Sequence, residues 1–214
     1  LGDRFIGYHS YSRQSGKRFS AINLYTRQFK KEKTVFEYSS IAQSQTGKGW
    51  RLFQRTYIQP IVCQNRIIVA GDVEFKFHIY LEDGIPFKTI AEAYERLPFT
   101  EADKKKVLHH YRTMPSTAPD YAFWKKNIIF PDRFPAIRSI HTGNKYIYVR
   151  TYRSQGLSSE FYIYHSNGKF NKRIFLDIAA SYKKYPYPFM RDSVPFVFYK
   201  QSLFQLVLDD DDQV

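Results

Sequence analysis

The amino-acid sequence predicts an all-β protein, and two observations support this prediction. The 214 residues include 18 Tyr and 19 Phe, and aromatic side chains favour the pleated, half-buried surfaces of β-strands. Short stretches of alternating apolar and polar residues also flank Asp-Gly and Asn-Gly pairs, which supply the backbone conformation of tight hairpin turns. We therefore expect a series of antiparallel hairpins.

One hairpin motif recurs along the chain. Residues 79–90 and 163–174 both contain Ile-Tyr, then Gly, Lys and Ile at matching offsets. A weaker copy at 24–35 has Leu-Tyr, Lys and Val at the same offsets but lacks the Asp-Gly or Asn-Gly pair. Self-similar units of this kind indicate a repeat architecture.

Further strands precede each hairpin, so the repeating unit is longer than the motif. The predicted strands are 3–8, 67–70 and 146–150, with shorter strands at 58–62 and 136–140. A meander of four short strands is typical of a propeller blade. We therefore expect a β-propeller of four-stranded blades, with residues 1–214 forming a single propeller domain or the C-terminal part of one.

Residues 94–135 break the strand pattern. Thr100 followed closely by two acidic residues is a helix N-cap pattern, and the pair Met114-Pro115 ends the predicted helix. The stretch that follows is rich in proline and typical of a loop. We expect a helical insertion that covers one face of the propeller. Beyond it, 194–198 and 202–208 predict the start of another blade, followed by four consecutive Asp residues.

Taken together, these features resemble the six-bladed β-propeller proteins of bacteria, which are related in pattern to NHL-repeat propellers. The resemblance rests on the Ile-Tyr to Gly motifs at 79–84 and 163–168, and on Leu-Pro-Phe-Thr at 97–100 followed by Phe-Pro-Ala-Ile at 134–137. It implies a ring that this chain covers only in part, with further blades upstream. It also implies a periplasmic or exported, cell-surface location.

The charge of the chain is strongly positive, at +13 with an isoelectric point near 9.7. Such a charge favours polyanionic partners, including nucleic acid, acidic polysaccharide and anionic membrane surfaces. The basic residues are nevertheless dispersed, since no run exceeds three, and dispersal favours a charged, soluble surface. No stretch approaches the roughly 18 apolar residues of a transmembrane helix, so none is predicted.

Motifs of known enzymes and cofactor sites are missing from the sequence. There is no His-Glu-x-x-His metal motif, no Gly-x-Ser-x-Gly nucleophile turn and no complete phosphate-binding loop. We accordingly predict no metal, cofactor or catalytic residue, and lean against an enzyme. Cys63 is the single cysteine and is expected to be a small buried apolar residue.

The sequence favours a non-catalytic binding or scaffold protein whose partner is a protein, peptide or glycan. Several predicted loops mix arginine with aromatic residues, a combination suited to ring stacking and to neutralising acidic groups. From these loops we select Arg55, Arg150 and Arg153 as candidate ligand-binding residues.

Two alternatives remain open. One is binding of a polyanion or nucleic acid through the basic surface, which predicts a steep fall of affinity with salt. The other is a metal-dependent hydrolase or lactonase that holds its metal in a central channel. Its candidate ligands are Asp72, Glu74, Asn144 and Asp192.

Overall fold

The computed structural model describes residues 3–13, 18–40, 50–51, 60–70, 73–143, 145–156, 158–177, 196–199 and 202–205. Its strands are β1 (Phe5–Ser12), β2 (Arg18–Tyr25), β3 (Lys31–Ser40), β4 (Trp50–Arg51), β5 (Ile61–Cys63), β6 (Arg66–Ala70), β7 (Lys76–Leu81), β8 (Pro86–Ala91), β9 (Ile128–Ile129), β10 (Ile137–Thr142), β11 (Tyr146–Gln155), β12 (Ser158–His165), β13 (Phe170–Asp177), β14 (Phe196–Tyr199) and β15 (Ser202–Gln205). The helices are α1 (Glu101–Thr113), a single 3-10 turn (Ala118–Asp120) and α2 (Tyr121–Asn127).

Three antiparallel sheets contain most of these strands. The first sheet is β1-β2-β3, the second is β5-β6-β7-β8 and the third is β10-β11-β12-β13, each in chain order. Two small pairs complete the set, antiparallel β14-β15 and parallel β4-β9. The prediction of consecutive hairpins is thus confirmed.

The prediction of a β-propeller of six-bladed type is wrong. The described residues form three separate sheets of three or four strands, and no closed ring is found among them. A propeller closes by pairing strands at the two ends of its ring. In the part of the chain that the structure describes, β1 and β3 pair with β2 alone, and β14 pairs with β15 alone. The repeat therefore predicted the four-stranded meander correctly and the propeller architecture incorrectly.

The second sheet lies between the other two, and its alternating side chains face both ways. Towards the first sheet it directs Ile67, Val69 and Tyr80, which pack with Ile22 and Leu24. The opposite face of the second sheet packs on the third sheet in the largest apolar cluster. This cluster includes Cys63, Ile68, Phe77 and Ile79 from the second sheet and Ile137, Ile147, Val149 and Tyr164 from the third.

The glycine of the repeated motif forms the contact between successive sheets. Gly84 and Gly168 end hairpin turns with φ of +74° and +76°, a region that glycine adopts readily. Each glycine packs against residues of the same motif in the preceding sheet. Gly84 meets Leu24, Lys33 and Val35, and Gly168 meets the equivalent residues Ile79, Lys88 and Ile90. The repeated residues are therefore those through which one sheet packs on the next.

Phe29 occupies the matching position in the first sheet. Its φ is +58°, a conformation that costs a residue with a Cβ about 1–2 kcal/mol. The side chain is 75% exposed and stacks on Phe5 with ring centroids 5.3 Å apart. The third copy of the motif thus keeps the turn geometry and replaces glycine by an exposed aromatic residue.

The helical segment starts and stops as its sequence predicts. Thr100 caps α1, and its hydroxyl and the Asp103 carboxylate form a reciprocal capping box. Met114 is the C-cap. The two ends of the segment are joined by backbone hydrogen bonds, from Phe99 N to Asp132 O at 2.8 Å and from Phe134 N to Leu97 O at 2.9 Å.

Alkaline pH is expected to destabilise this fold through Cys63. The thiol is 1% exposed, and burial raises its pKa from 9.0 to about 11. Between these values the folded state keeps a proton that the unfolded chain releases, so stability present below pH 9 is lost as the pH rises towards 11. The loss amounts to about 3 kcal/mol at about 1.4 kcal/mol per pKa unit. Burial also raises the pKa of Tyr164 in the same cluster, which adds to the decline at still higher pH.

Urea denaturation of the wild type and of Cys63→Ala between pH 8 and 11 tests this expectation. The variant should lose stability less steeply over this range. Parallel declines in the two proteins would show that other groups carry the pH dependence.

Candidate functional site

A cleft of about 390 Å³ lies between the first turns of α1 and one end of the third sheet. We call it the α1 cleft. Its lining comes from the segment before α1, from α1 itself, from the end of the helical segment and from strands β10, β11 and β12. The lining residues are Leu97, Pro98, Asp103, Lys106, Phe134, Arg138, Thr151, Tyr152, Ser154 and Ser159.

One wall of the cleft is apolar. Phe134 stacks on Tyr152 with ring centroids 4.7 Å apart, and Phe134 belongs to the apolar cluster that holds α1 in place. Leu97 and Pro98 extend this wall. The Arg138 guanidinium lies 5.7 Å from the centre of the Tyr152 ring, within the range of cation–π attraction. A cation is therefore held at the edge of an apolar surface.

The helix contributes a second cation to the cleft. The Asp103 carboxylate accepts hydrogen bonds from the backbone N–H of Thr100, at 3.0 Å, and from its hydroxyl, at 2.6 Å. Its other oxygen lies 3.9 Å from Lys106 Nζ. The Lys106 ammonium group therefore lies in the cleft as a cation whose charge is balanced by the neighbouring Asp103 carboxylate.

Ser159 connects the cleft to a buried arginine. Arg150 is 1% exposed, and its Nη2 donates to Ser159 Oγ at 2.8 Å. A hydroxyl that accepts a hydrogen bond keeps its own proton for donation. Ser159 can thus donate to a group in the cleft, and the buried guanidinium strengthens it as a donor.

Glu160, which contacts the cleft residue Thr151, is fully buried in a polar network. Its carboxylate accepts from Thr151 Oγ1 at 2.6 Å, from Arg173 Nε at 2.6 Å and from the Tyr94 hydroxyl at 3.2 Å. Burial raises the pKa of this tyrosine, so its phenol is neutral and donates. The network orients Thr151, which also lines the cleft.

The three arginines selected from the sequence have different positions. Arg150 is buried and is joined to the cleft residue Ser159 by a hydrogen bond. Arg153 lies outside the cleft lining, where its Nη2 donates to the backbone oxygen of Glu95 at 3.3 Å and its guanidinium lies 5.6 Å from the Tyr94 ring centre. Arg55 lies outside the described residues.

The structure adds Lys106, Arg138 and Ser159, which sequence reasoning missed. They come from α1, β10 and β12, and no spacing rule connects residues on three such elements. A register shift in β11 between Arg150 and Ser154 also changes the direction of the side chains beside the cleft. An alternating strand pattern read from the sequence does not include such a shift.

Three of the four candidate metal ligands, Asp72, Asn144 and Asp192, lie outside the described residues. Glu74 is described, and it pairs with Arg96 at 3.1 Å. Within the described ranges, no group of three or more His, Cys, Asp or Glu side chains is arranged to hold a metal ion.

Comparisons with known proteins give no assignment. No protein-family model matches this sequence, and no curated protein is significantly similar to it. Neither helix described by the structure is long and apolar enough to cross a bilayer.

Proposed function

We propose that this protein is a non-catalytic binding protein whose α1 cleft holds a ligand through an acidic group. The observation that carries the proposal is the convergence of Lys106, Arg138 and the Ser159 hydroxyl on one cleft. Charge-assisted hydrogen bonds from such groups to a carboxylate are among the strongest in proteins. The volume of the cleft also falls within the range of ligand sites, about 300–1,000 Å³.

The surroundings of Ser159 favour binding over covalent catalysis. A nucleophilic serine needs a neighbouring base that takes its proton. Here the neighbour is the Arg150 guanidinium, which has no acceptor and stays protonated. The hydroxyl is therefore arranged to donate to a bound group.

The apolar wall indicates what adjoins the acidic group. Leu97, Phe134 and Tyr152 lie beside the cations and suit a carbon skeleton next to a carboxylate. An acidic side chain of a peptide and a uronic acid of a glycan share this chemistry. The two sources are separated by the probes used below.

Isothermal titration calorimetry with a short glutamate-rich peptide and with a glucuronate-containing oligosaccharide tests the proposal. The glutamine-rich peptide and the corresponding neutral oligosaccharide serve as controls for charge. We expect one acidic probe to bind, and Arg138→Met to weaken its binding about tenfold to a hundredfold, the effect of losing a hydrogen bond worth about 1.5–3 kcal/mol. Lys106→Met should also weaken binding.

Two matched variants remove the same charge from α1 outside the cleft lining. Lys105→Met is the control for Lys106→Met, and Arg112→Met is the control for Arg138→Met; both controls should bind like the wild type. Absence of binding by both acidic probes would refute the proposal. Equal losses in the cleft variants and their controls would do the same, because they would indicate nonspecific attraction to the basic surface.

A further inference from the structure

Three hairpin turns lie next to each other along one edge of the stacked sheets. They connect β2 to β3, β7 to β8 and β12 to β13. The second turn contacts residues that flank the first, since Gly84 lies on Leu24 and Lys33. Lys88, in the strand that follows the second turn, donates from Nζ to the backbone oxygen of Gly168 in the third turn at 3.1 Å. We call this row of turns the turn edge.

The turn edge collects exposed apolar side chains. Eight large hydrophobic residues are exposed in the part of the chain that the structure describes, and five of them lie here, between 44% and 75% exposed. These five are Phe5, Phe29, Ile85, Phe87 and Phe170. Apolar groups concentrated in this way mark interaction sites more often than scattered ones do.

Positive charge surrounds these side chains. The basic residues at the three turns and the strand ends beside them are Arg4, Arg27, Lys30, Lys31, Lys33, Arg66, Lys88, Lys169 and Lys172, and the acidic ones are Asp3, Glu32, Glu82 and Asp83. Two of the carboxylates are already paired, Asp3 with Arg27 at 3.1 Å and Glu32 with Arg4 at 2.8 Å. The edge is thus apolar at its tips and basic around them.

We propose that the turn edge docks on the surface of an anionic lipid bilayer, a property separate from ligand binding in the α1 cleft. Apolar side chains that enter the headgroup region and basic residues that meet lipid phosphates are the two attractions of interfacial binding. The contacts of Gly84 with Lys33 and of Lys88 with Gly168 place the three turns at the same edge of the stacked sheets.

The packing of the rings favours lipid over single-stranded nucleic acid. Bases bind by stacking on open aromatic faces. Phe29 has one face covered by Phe5, and the Arg66 guanidinium lies 3.9 Å from the centre of the Phe87 ring. Ile85 has no ring at all. The stacked pair of Phe29 and Phe5 and the aliphatic Ile85 suit insertion among acyl chains, and the Arg66 guanidinium beside Phe87 can meet a lipid phosphate.

Flotation of the protein with phosphatidylcholine vesicles, with and without phosphatidylserine, tests this proposal. We expect binding to the vesicles that contain phosphatidylserine and little to the others. Phe29→Gly should weaken that binding at least about tenfold, the effect of removing a phenylalanine that becomes buried. This variant gives the first turn the glycine of the other two, so its thermal stability should not fall.

The matched control is Phe123→Ala, which removes a phenylalanine on α2 that is 51% exposed and should leave binding unchanged. Replacing Lys30 and Lys31 by Gln should reduce binding, and the same change at Lys125 and Lys126 on α2 should not. Phe170→Ser is a second apolar variant, expected to weaken binding in the same direction.

Three results would overturn the proposal. The first is vesicle binding at the wild-type level in both Phe29→Gly and Phe170→Ser. The second is equal binding to vesicles with and without phosphatidylserine. The third is binding to a polythymidine oligonucleotide that is tighter than binding to the vesicles and is abolished by Phe29→Gly. The last result would assign the turn edge to nucleic acid.

Discussion

Gly168→Ala is expected to lower the free energy of unfolding by about 3 kcal/mol, as the sum of two costs. Gly168 has a φ of +76°, which costs alanine about 1 kcal/mol relative to glycine. A Cβ at this position would also lie 2.9 Å from Ile79 Cδ1 and 3.0 Å from Ile90 Cδ1. These atoms belong to the packed core between the second and third sheets, where overpacking costs about 1–3 kcal/mol.

Gly156→Ala separates the two costs. Gly156 has a similar φ of +60°, but nothing lies within 4 Å of its added Cβ. Urea denaturation should therefore give a loss of about 1 kcal/mol for Gly156→Ala. Gly84→Ala should resemble Gly168→Ala, because its Cβ would lie 2.8 Å from Val35 Cγ2. Equal losses at Gly156 and Gly168 would contradict the close packing of one sheet's turn on the next.

Arg173→Met is expected to lower the free energy of unfolding by about 3 kcal/mol or more, because it leaves a buried charge without its partner. The Glu160 carboxylate is fully buried, whereas the Arg173 side chain is 45% exposed. Removing the arginine leaves the carboxylate with only two hydroxyl donors, Thr151 and Tyr94. Glu160→Gln should cost less, because the released guanidinium can turn to water.

A double-mutant cycle measured by urea denaturation checks this asymmetry. The protein with both Glu160→Gln and Arg173→Met should be more stable than the protein with Arg173→Met alone, since it contains no buried unpaired charge. Arg27→Met is a suitable control, because its ion pair with Asp3 is largely exposed and should contribute less than about 1 kcal/mol. Simple additivity of the two substitutions would contradict the interpretation.

The features that the sequence predicted well are those determined by neighbouring residues. Asp83-Gly84 and Asn167-Gly168 indicate tight turns because the glycine adopts positive φ, and both turns form. Thr100 indicates a helix start because its side chain bonds to the backbone three residues later, and it does so. Such interactions depend little on the rest of the fold.

The arrangement of the sheets depends on distant contacts, and there the prediction failed. The repeat shows that Gly84 and Gly168 are equivalent, but not that Gly84 packs on Leu24 and Val35 of the sheet before it. Nor does the equivalence of the units imply that they are arranged as the blades of a propeller. The same limit applies to the α1 cleft: Arg138 and Lys106 come together because a helical segment folds back over a sheet, which no local pattern encodes.

Hydrogen bonds join Leu97 to Phe134 and Phe99 to Asp132, at the two ends of the helical segment. They bring the entry and exit of the helical segment to adjacent points, and Arg96 reinforces the junction through the backbone oxygen of Phe134, at 2.8 Å. The connection from α1 to β9 can therefore change in length or composition while β8 and β10, which flank the helical segment, stay in place. Since α1 forms one side of the α1 cleft, such changes can alter the shape of the cleft among descendants of the gene while the stacked sheets are retained.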